Sequence, residues 1–188
     1  ISSVPLPRGV LRDPHGVWLA DPDGRPTRLQ AQALERWSDG SVRWLLLDFL
    51  ADVPRDGERT WTLHAGAPAG KLTGPQVRSS EQGLPRTLDT GAVQFVVPES
   101  GSALFDEIRG RAGRLAGRVA LPALDVGQVQ QPASSGLVVE TQGPIRTELL
   151  LRGRYASGIT YEARLAVFAG QPTARLQQVA DAFGLDHR

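Results

Sequence analysis

Three Asp-Gly dipeptides punctuate the first third of the chain and constrain its fold more than any other feature. Asp23-Gly24, Asp39-Gly40 and Asp56-Gly57 stand 16 and 17 residues apart. Asp-Gly between apolar runs is the strongest short-range hairpin signal, because a two-residue type I′ turn needs positive φ at both central positions. Each interval leaves room for one strand. Strands are expected near 16–20, 27–37, 42–52 and 59–65, with Val10 and Leu11 in a leading strand. Such a meander either closes into a small barrel or leaves edges that need cover.

The central hairpin is the best-defined element. Its tip is Ser38-Asp39-Gly40-Ser41, flanked by Trp37 and Trp44. Val42, Trp44 and Leu46 alternate with Arg43, Leu45, Leu47 and Phe49. A strand apolar on both faces is expected to be central and covered on both sides. From Ala65 to Pro85 the chain is rich in Ala, Gly, Pro and Ser and nearly empty of large apolar side chains. This marks residues 67–86 as a linker or long loop between a first module, 1–66, and a second, 87–188.

The second half resumes the β pattern. Ala92–Val97 and Leu104–Ile108 read as short strands, and 110–135 is the least regular stretch. Ile145–Leu151, Ile159–Phe168 and Thr173–Val179 show period-two alternation with one apolar face, the mark of a half-buried antiparallel sheet. Tyr155-Ala156-Ser157-Gly158 and Gly170-Gln171-Pro172 supply the turns between them. Helix propensity offers an alternative for 174–183. The fold expected is all-β, a small antiparallel barrel followed by a partial β-sandwich.

Composition narrows the chemistry. The chain has 188 residues, a formal net charge of +1, no Cys and no Met. Without Cys there are no disulfides, thiolate zinc sites or Cys nucleophiles. Charge is mixed along the chain, so no basic run marks a nucleic-acid partner. No apolar stretch reaches the roughly 18–20 residues of a membrane helix. Opening on Ile1 without an initiator Met reads as a processed, trimmed or partial N-terminus. Lys71 is the lone lysine, and Arg supplies nearly all the positive charge. GC-rich coding explains that bias, and so does a preference for planar carboxylates such as those of acidic sugars.

A family resemblance rests on specific blocks. Leu6-Pro7-Arg8-Gly9-Val10-Leu11, Leu19 to Pro26, Leu29 to Gln32 and above all Arg36-Trp37-Ser38-Asp39-Gly40-Ser41-Val42-Arg43-Trp44 resemble the N-terminal barrel of the exo-rhamnogalacturonan lyase family. That domain is a small barrel of the RIFT type. Gly143-Pro144-Ile145-Arg146, Gly153-Arg154-Tyr155 and Tyr161 to Gly170 are similar to strands of the mutarotase-like sandwich that follows it. Family lyases continue well beyond the length of this chain. The resemblance therefore implies a carbohydrate-related, extracellular or secreted protein that is not catalytic alone. It also implies an acidic polysaccharide or oligosaccharide as partner. The alternative is a non-catalytic glycan-binding or assembly module completed by partner chains. In either case the native material is expected to be a homo-oligomer or part of a longer chain, with no cofactor implied.

A lyase acting on a uronate needs a base for the proton α to the carboxylate, and a cation or metal for the enolate-like intermediate. His15, His64, His187, Tyr155 and Tyr161 are the candidate bases, and the histidines lack metal-type spacing. Asp21 and Asp23 fall in a Pro-Asp-Gly turn and not in a calcium loop. The Gly- and Arg-rich run Gly110–Gly117 is not followed by the Lys-Ser/Thr of a phosphate loop. Arg36, Asp39 and Arg43 cluster at the hairpin tip with Trp37 and Trp44. They suit a sugar-carboxylate site with a stacking indole, and Tyr155, at a strand end before a turn where exposure is open to it, is a further carbohydrate-binding candidate. The competing reading makes the tryptophans barrel plugs and Asp39 the anchor of an Asx turn.

Overall fold

The computed structural model describes residues 2–80, 86–125 and 127–181. It is all-β, with no helix among the described residues, and so none long and apolar enough to cross a membrane. The chain divides into two compact units, Ile1–Gln76 and Val77–Arg188.

The first unit contains β1 (Ser2–Pro5), β2 (Val17–Ala20), β3 (Pro26–Thr27), β4 (Leu29–Arg36), β5 (Val42–Phe49) and β6 (Thr62–Ala65). They form two antiparallel three-stranded sheets, ordered β1-β5-β4 and β3-β2-β6. The expected meander does not close into a barrel, and the reason lies at the third Asp-Gly. Gly57 N–H donates to the Pro54 carbonyl at 3.1 Å and Asp56 takes φ 58°, so a local turn forms. It lies in a strandless stretch between β5 and β6, which pair with other strands and not with each other.

The other two Asp-Gly sites do turn hairpins, in a different geometry from the one expected. Gly40 N–H donates to the Trp37 carbonyl at 2.9 Å, and Trp37 N–H donates to the Ser41 carbonyl at 2.8 Å. Gly40 alone takes positive φ, 82°. This is a three-residue loop, a type I turn closed by a left-handed glycine, so Asp39 is spared the strained conformation. Asp21–Arg25 repeats the pattern with Gly24, and Tyr155–Ile159 repeats it in the second unit with Gly158.

β5 is the central strand of its sheet. Its pairing with β4 runs Ala33↔Leu45, Glu35↔Trp44, Arg36↔Val42, so Leu34 and Arg43 are each an extra residue. A bulge reverses the alternation beyond it. Val42 therefore joins Leu45 and Leu47 on the buried side, with Leu11 and Ala31, while Arg43 and Trp44 remain exposed. Val10 and Leu11 form no strand, but the Leu11 carbonyl accepts a hydrogen bond from Val42 N–H at 2.7 Å. Val4, Val17 and Leu63 pack on this cluster from the neighbouring strands.

Most of the Ala-Gly-Pro stretch is a packed loop. Thr73 donates to the Pro26 carbonyl through both its N–H and its hydroxyl, and Arg28 Nε reaches the Gly74 carbonyl at 2.9 Å. Val77 is already buried in the second unit, donating to the Pro144 carbonyl.

The second unit begins with β7 (Arg78–Ser79), β8 (Arg86–Asp89), β9 (Gln94–Val97), β10 (Ala103–Phe105), β11 (Glu107–Gly110) and β12 (Gly113–Ala116). Short pieces β13 (Val119–Ala120), β14 (Leu124–Asp125) and β15 (Val129–Gln130) follow. The unit ends with β16 (Ala133–Gln142), β17 (Arg146–Arg154), β18 (Thr160–Phe168) and β19 (Ala174–Asp181). One sheet runs β12-β11-β9-β8-β7 and another β16-β17-β18-β19. The strand expected over 104–108 is broken at Asp106, because β10 pairs with β13 whereas β11 pairs with β9 and β12. β16 is an unexpected fourth strand beside the three expected ones. The helical alternative for 174–183 gives way to β19 as far as Asp181, and the remaining residues lie outside those described.

The four-stranded sheet buries Leu149, Leu151, Ala163, Leu165 and Val167 on one face. Glycine is required at 153: a Cβ there would lie 2.2 Å from the Ala133 carbonyl oxygen and 2.6 Å from the Tyr161 ring. Overpacking of this kind costs about 1–3 kcal/mol. Gly153→Ala is therefore expected to lower the unfolding free energy by about 2 kcal/mol in a urea titration. Gly136→Ala, whose Cβ meets nothing within 4 Å, is expected to leave it nearly unchanged.

Candidate functional site

The hairpin tip is organised around the Asp39 carboxylate. Its Oδ1 accepts from Ser41 N–H at 3.0 Å and from the Ser41 hydroxyl at 2.6 Å, an Asx turn of the kind expected from the sequence. Ser41 Oγ in turn accepts from Gly9 N–H at 2.9 Å. Arg12 donates to the Asp39 carbonyl at 2.8 Å, and Arg8 Nε stands 3.3 Å from Asp39 Oδ2. Arg36 donates to the carbonyls of Arg12 and Gly40 at 2.8 and 2.9 Å. Trp37 Nε1–H donates to the Leu6 carbonyl, and Arg43 lies over the Trp37 ring while donating to Glu35 at 2.7 Å. These groups tie segment 6–12 to the hairpin. Each of these residues thus has at least one donor or acceptor engaged within the protein.

The remaining residues of the expected site are dispersed. Trp44 is 36% exposed on the outer face of β5, without a ring or cation partner among the described residues. Tyr155 belongs to the second unit and, although its place at a strand end before a turn allows exposure, it is only 3% exposed. It sits against Tyr161, accepts from the Gln178 amide and donates to the Pro122 carbonyl. Burial pushes both phenols above their ordinary pKa. A phenol that resists ionisation is poorly suited to act as a base near neutral pH. His187 lies outside the described residues.

Of the other two histidines, His15 lines a cleft of about 380 Å³ in the first unit, and His64 stacks on Trp18, which lines the same cleft. Val17 packs on the core and Leu19 is buried, so the period of two turns Trp18 to the opposite face of β2. The cross-strand partner of Trp18 on β6 is His64. Their rings stack at 4.3 Å and 15°. Trp18 also lines the cleft, together with His15 at its exposed lip, Leu29 and Ala31 from β4, and Pro68 and Leu72 from the packed loop. No Asp, Glu, Arg or Lys lines it. An indole wall among apolar groups, with an imidazole at the rim, can stack on the C–H face of an uncharged sugar ring.

Trp18 was absent from the residues singled out in the sequence. Its signal, an aromatic flanked by two apolar residues, is that of an ordinary strand, and its partner His64 lies far along the chain. Among the described residues no three His, Cys, Asp or Glu side chains gather as a metal site would need. No family model matches the chain, and no curated protein matches it.

The Asp39 network has a pH signature. Hydrogen bonds from the Ser41 hydroxyl and N–H, aided by Arg8, lower the Asp39 pKa from 3.8 to about 2. A carboxylate depressed in the folded state stabilises it fully above its unfolded pKa and ceases to do so as pH falls through the folded value. Thermal melts of the native chain and Asp39→Asn are therefore expected to differ most above pH 4 and to converge as pH approaches 2. A difference that is constant over this range would dismiss the network.

Proposed function

We propose that this chain recognises carbohydrate through the Trp18 cleft and does not cleave it alone, as the non-catalytic N-terminal part of a rhamnogalacturonan-type polysaccharide lyase would. The observation that carries the reading is the Trp18–His64 stack beside a concave wall free of charged side chains. Stacking on His64 holds the indole in one orientation, so less side-chain entropy is lost when a sugar docks. Removal of a proton from a uronate requires a base facing a cation, and this lining offers one imidazole and no guanidinium. The hairpin block that resembles the lyase barrel supports the same reading, which implies an extracellular setting, where such polymers are found.

A second reading, an assembly module, draws on β19. This strand of eight residues closes one edge of its sheet with Val179 55% exposed, and no described strand pairs with its outer side. Long exposed edges accept a further strand. Light scattering that reports a single molecule at micromolar concentration, together with sugar binding, would set this reading aside.

Neutral oligosaccharides are expected to change the tryptophan fluorescence of the full chain. Trp18→Ala should weaken binding about tenfold, a typical consequence of losing one aromatic stack. Trp18→Phe should retain most of the affinity and Trp44→Ala all of it. No spectral change at millimolar sugar, or equal binding by Trp18→Ala, would overturn the proposal. Incubation with rhamnogalacturonan is expected to give no absorbance of unsaturated uronate. A rise that a single substitution in this chain abolishes would show that it does catalyse.

A further inference from the structure

The Arg- and Gly-rich run after residue 108, unexplained by the Trp18 cleft, folds into one side of a second cleft. This cleft, of about 680 Å³, lies wholly within the second unit. Its base is a single row of cross-strand partners, Asp89↔Gln94↔Arg109↔Arg114, spanning β8, β9, β11 and β12. Residues in register share a face, so these four side chains project together. Arg109 and Arg114 are directly opposed like charges, which alone would weaken the hairpin. Glu107, two residues before Arg109 on the same face, offsets this at 2.7 Å from Arg109 and 3.9 Å from Arg114. Its carboxyl is held below the usual range, first by the Arg109 hydrogen bond. Arg111, at the β11–β12 tip, adds a third guanidinium with no hydrogen-bond or ion-pair partner among the described residues. Asp89 is engaged elsewhere, accepting from Gly91 N–H at 2.8 Å and from the Gln94 amide at 3.2 Å. Arg109 and Arg114 thus share the Glu107 carboxylate, and Arg111 stands beside them without one.

We infer that this cleft binds the carboxylate of a sugar acid, with Arg111 and Arg114 as the recognising groups. Guanidinium forks match planar carboxylates and form charge-assisted hydrogen bonds with them. The cleft volume falls within the range of small-molecule sites, roughly 300–1,000 Å³. The Gln94 amide and a glycine-rich backbone give it a polar lining suited to hydroxyl groups. A nucleic acid fits less well. The arginines exceed the acidic groups by a single charge, against one phosphate per roughly 1.7 Å of duplex, and no aromatic side chain lines the cleft for base stacking. The inference is independent of the Trp18 site, since each cleft belongs to its own unit.

The test is calorimetric titration of the full chain with trigalacturonate, a neutral galactose trimer, citrate and a single-stranded oligonucleotide. Trigalacturonate is expected to bind and to weaken as salt rises from 50 to 500 mM, on the scale set by a Debye length of about 10 Å at 0.1 M. The neutral trimer is expected not to compete for this site, and citrate to bind more weakly than trigalacturonate. Arg111→Gln, at an exposed hairpin tip where folding is not at stake, should weaken trigalacturonate about tenfold, and Arg114→Gln likewise. Trp18→Ala should leave trigalacturonate binding unchanged, which separates failure here from failure of the first cleft. Equal affinity of the Trp18→Ala chain for the neutral trimer and trigalacturonate, unaltered binding by Arg111→Gln, citrate as the tighter ligand, or tighter binding of the oligonucleotide would each overturn the inference.

Discussion

Positive φ at the last residue of a three-residue loop is the constraint from which the β2–β3, β4–β5 and β17–β18 hairpins follow. At Gly24, Gly40 and Gly158 the backbone enters the left-handed region, with φ between 78° and 90°. An L side chain there meets its own carbonyl, whereas glycine does not. The preceding residues remain in ordinary conformations, which is why Asp23, Asp39 and Ser157 are tolerated. Once that glycine closes the loop, the register of the flanking strands is set. The unbroken pairing along β17–β18 then follows from one local turn, and along β4–β5 a turn of the same kind sets the start of a register that bulges at Leu34 and Arg43 shift.

Asp residues reinforce these turns from the side chain. Asp21, Asp39, Asp89 and Asp125 each accept a hydrogen bond from the N–H two residues on. Such bonds satisfy a loop donor that no strand partner would reach. Asp39 goes further and gathers Ser41, Arg8 and, through Ser41, the Gly9 backbone. The cluster of charged and aromatic residues that suggests a sugar site in the sequence also, in the fold, ties segment 6–12 to the hairpin.

The two clefts arise where strand faces leave side chains without a covering sheet. In the first unit, alternation buries Leu19 and sends Trp18 to the other side, where His64 meets it from β6. In the second, register aligns Gln94, Arg109 and Arg114 in one row. Neither grouping is local in the chain. Each depends on which strands become neighbours, and the hydrogen-bond ladder, not the side chains, decides that.

The all-β class, the central position of β5 and the antiparallel β17–β18–β19 run were legible in the sequence, because period-two alternation and glycine turns are local signals carried by the chain itself. The barrel was not obtained, since nothing local to Asp56-Gly57 reveals that β6 will pair with β2 instead of β5. The burial of Val42 with Leu45 was also hidden, because a bulge at Arg43 inverts the face only once two strands compete for register. Strand β16 was overlooked within and just after the irregular stretch, its Leu137-Val138-Val139 being too short an apolar run to declare a ten-residue strand. The residue types at the hairpin tip were plain, but their commitment to backbone carbonyls depends on segment 6–12 coming alongside. Local conformation is governed by each residue's own sterics, and so it is written in the sequence. Which side chains share a cleft is governed by pairings between distant strands, and only the tertiary structure decides those.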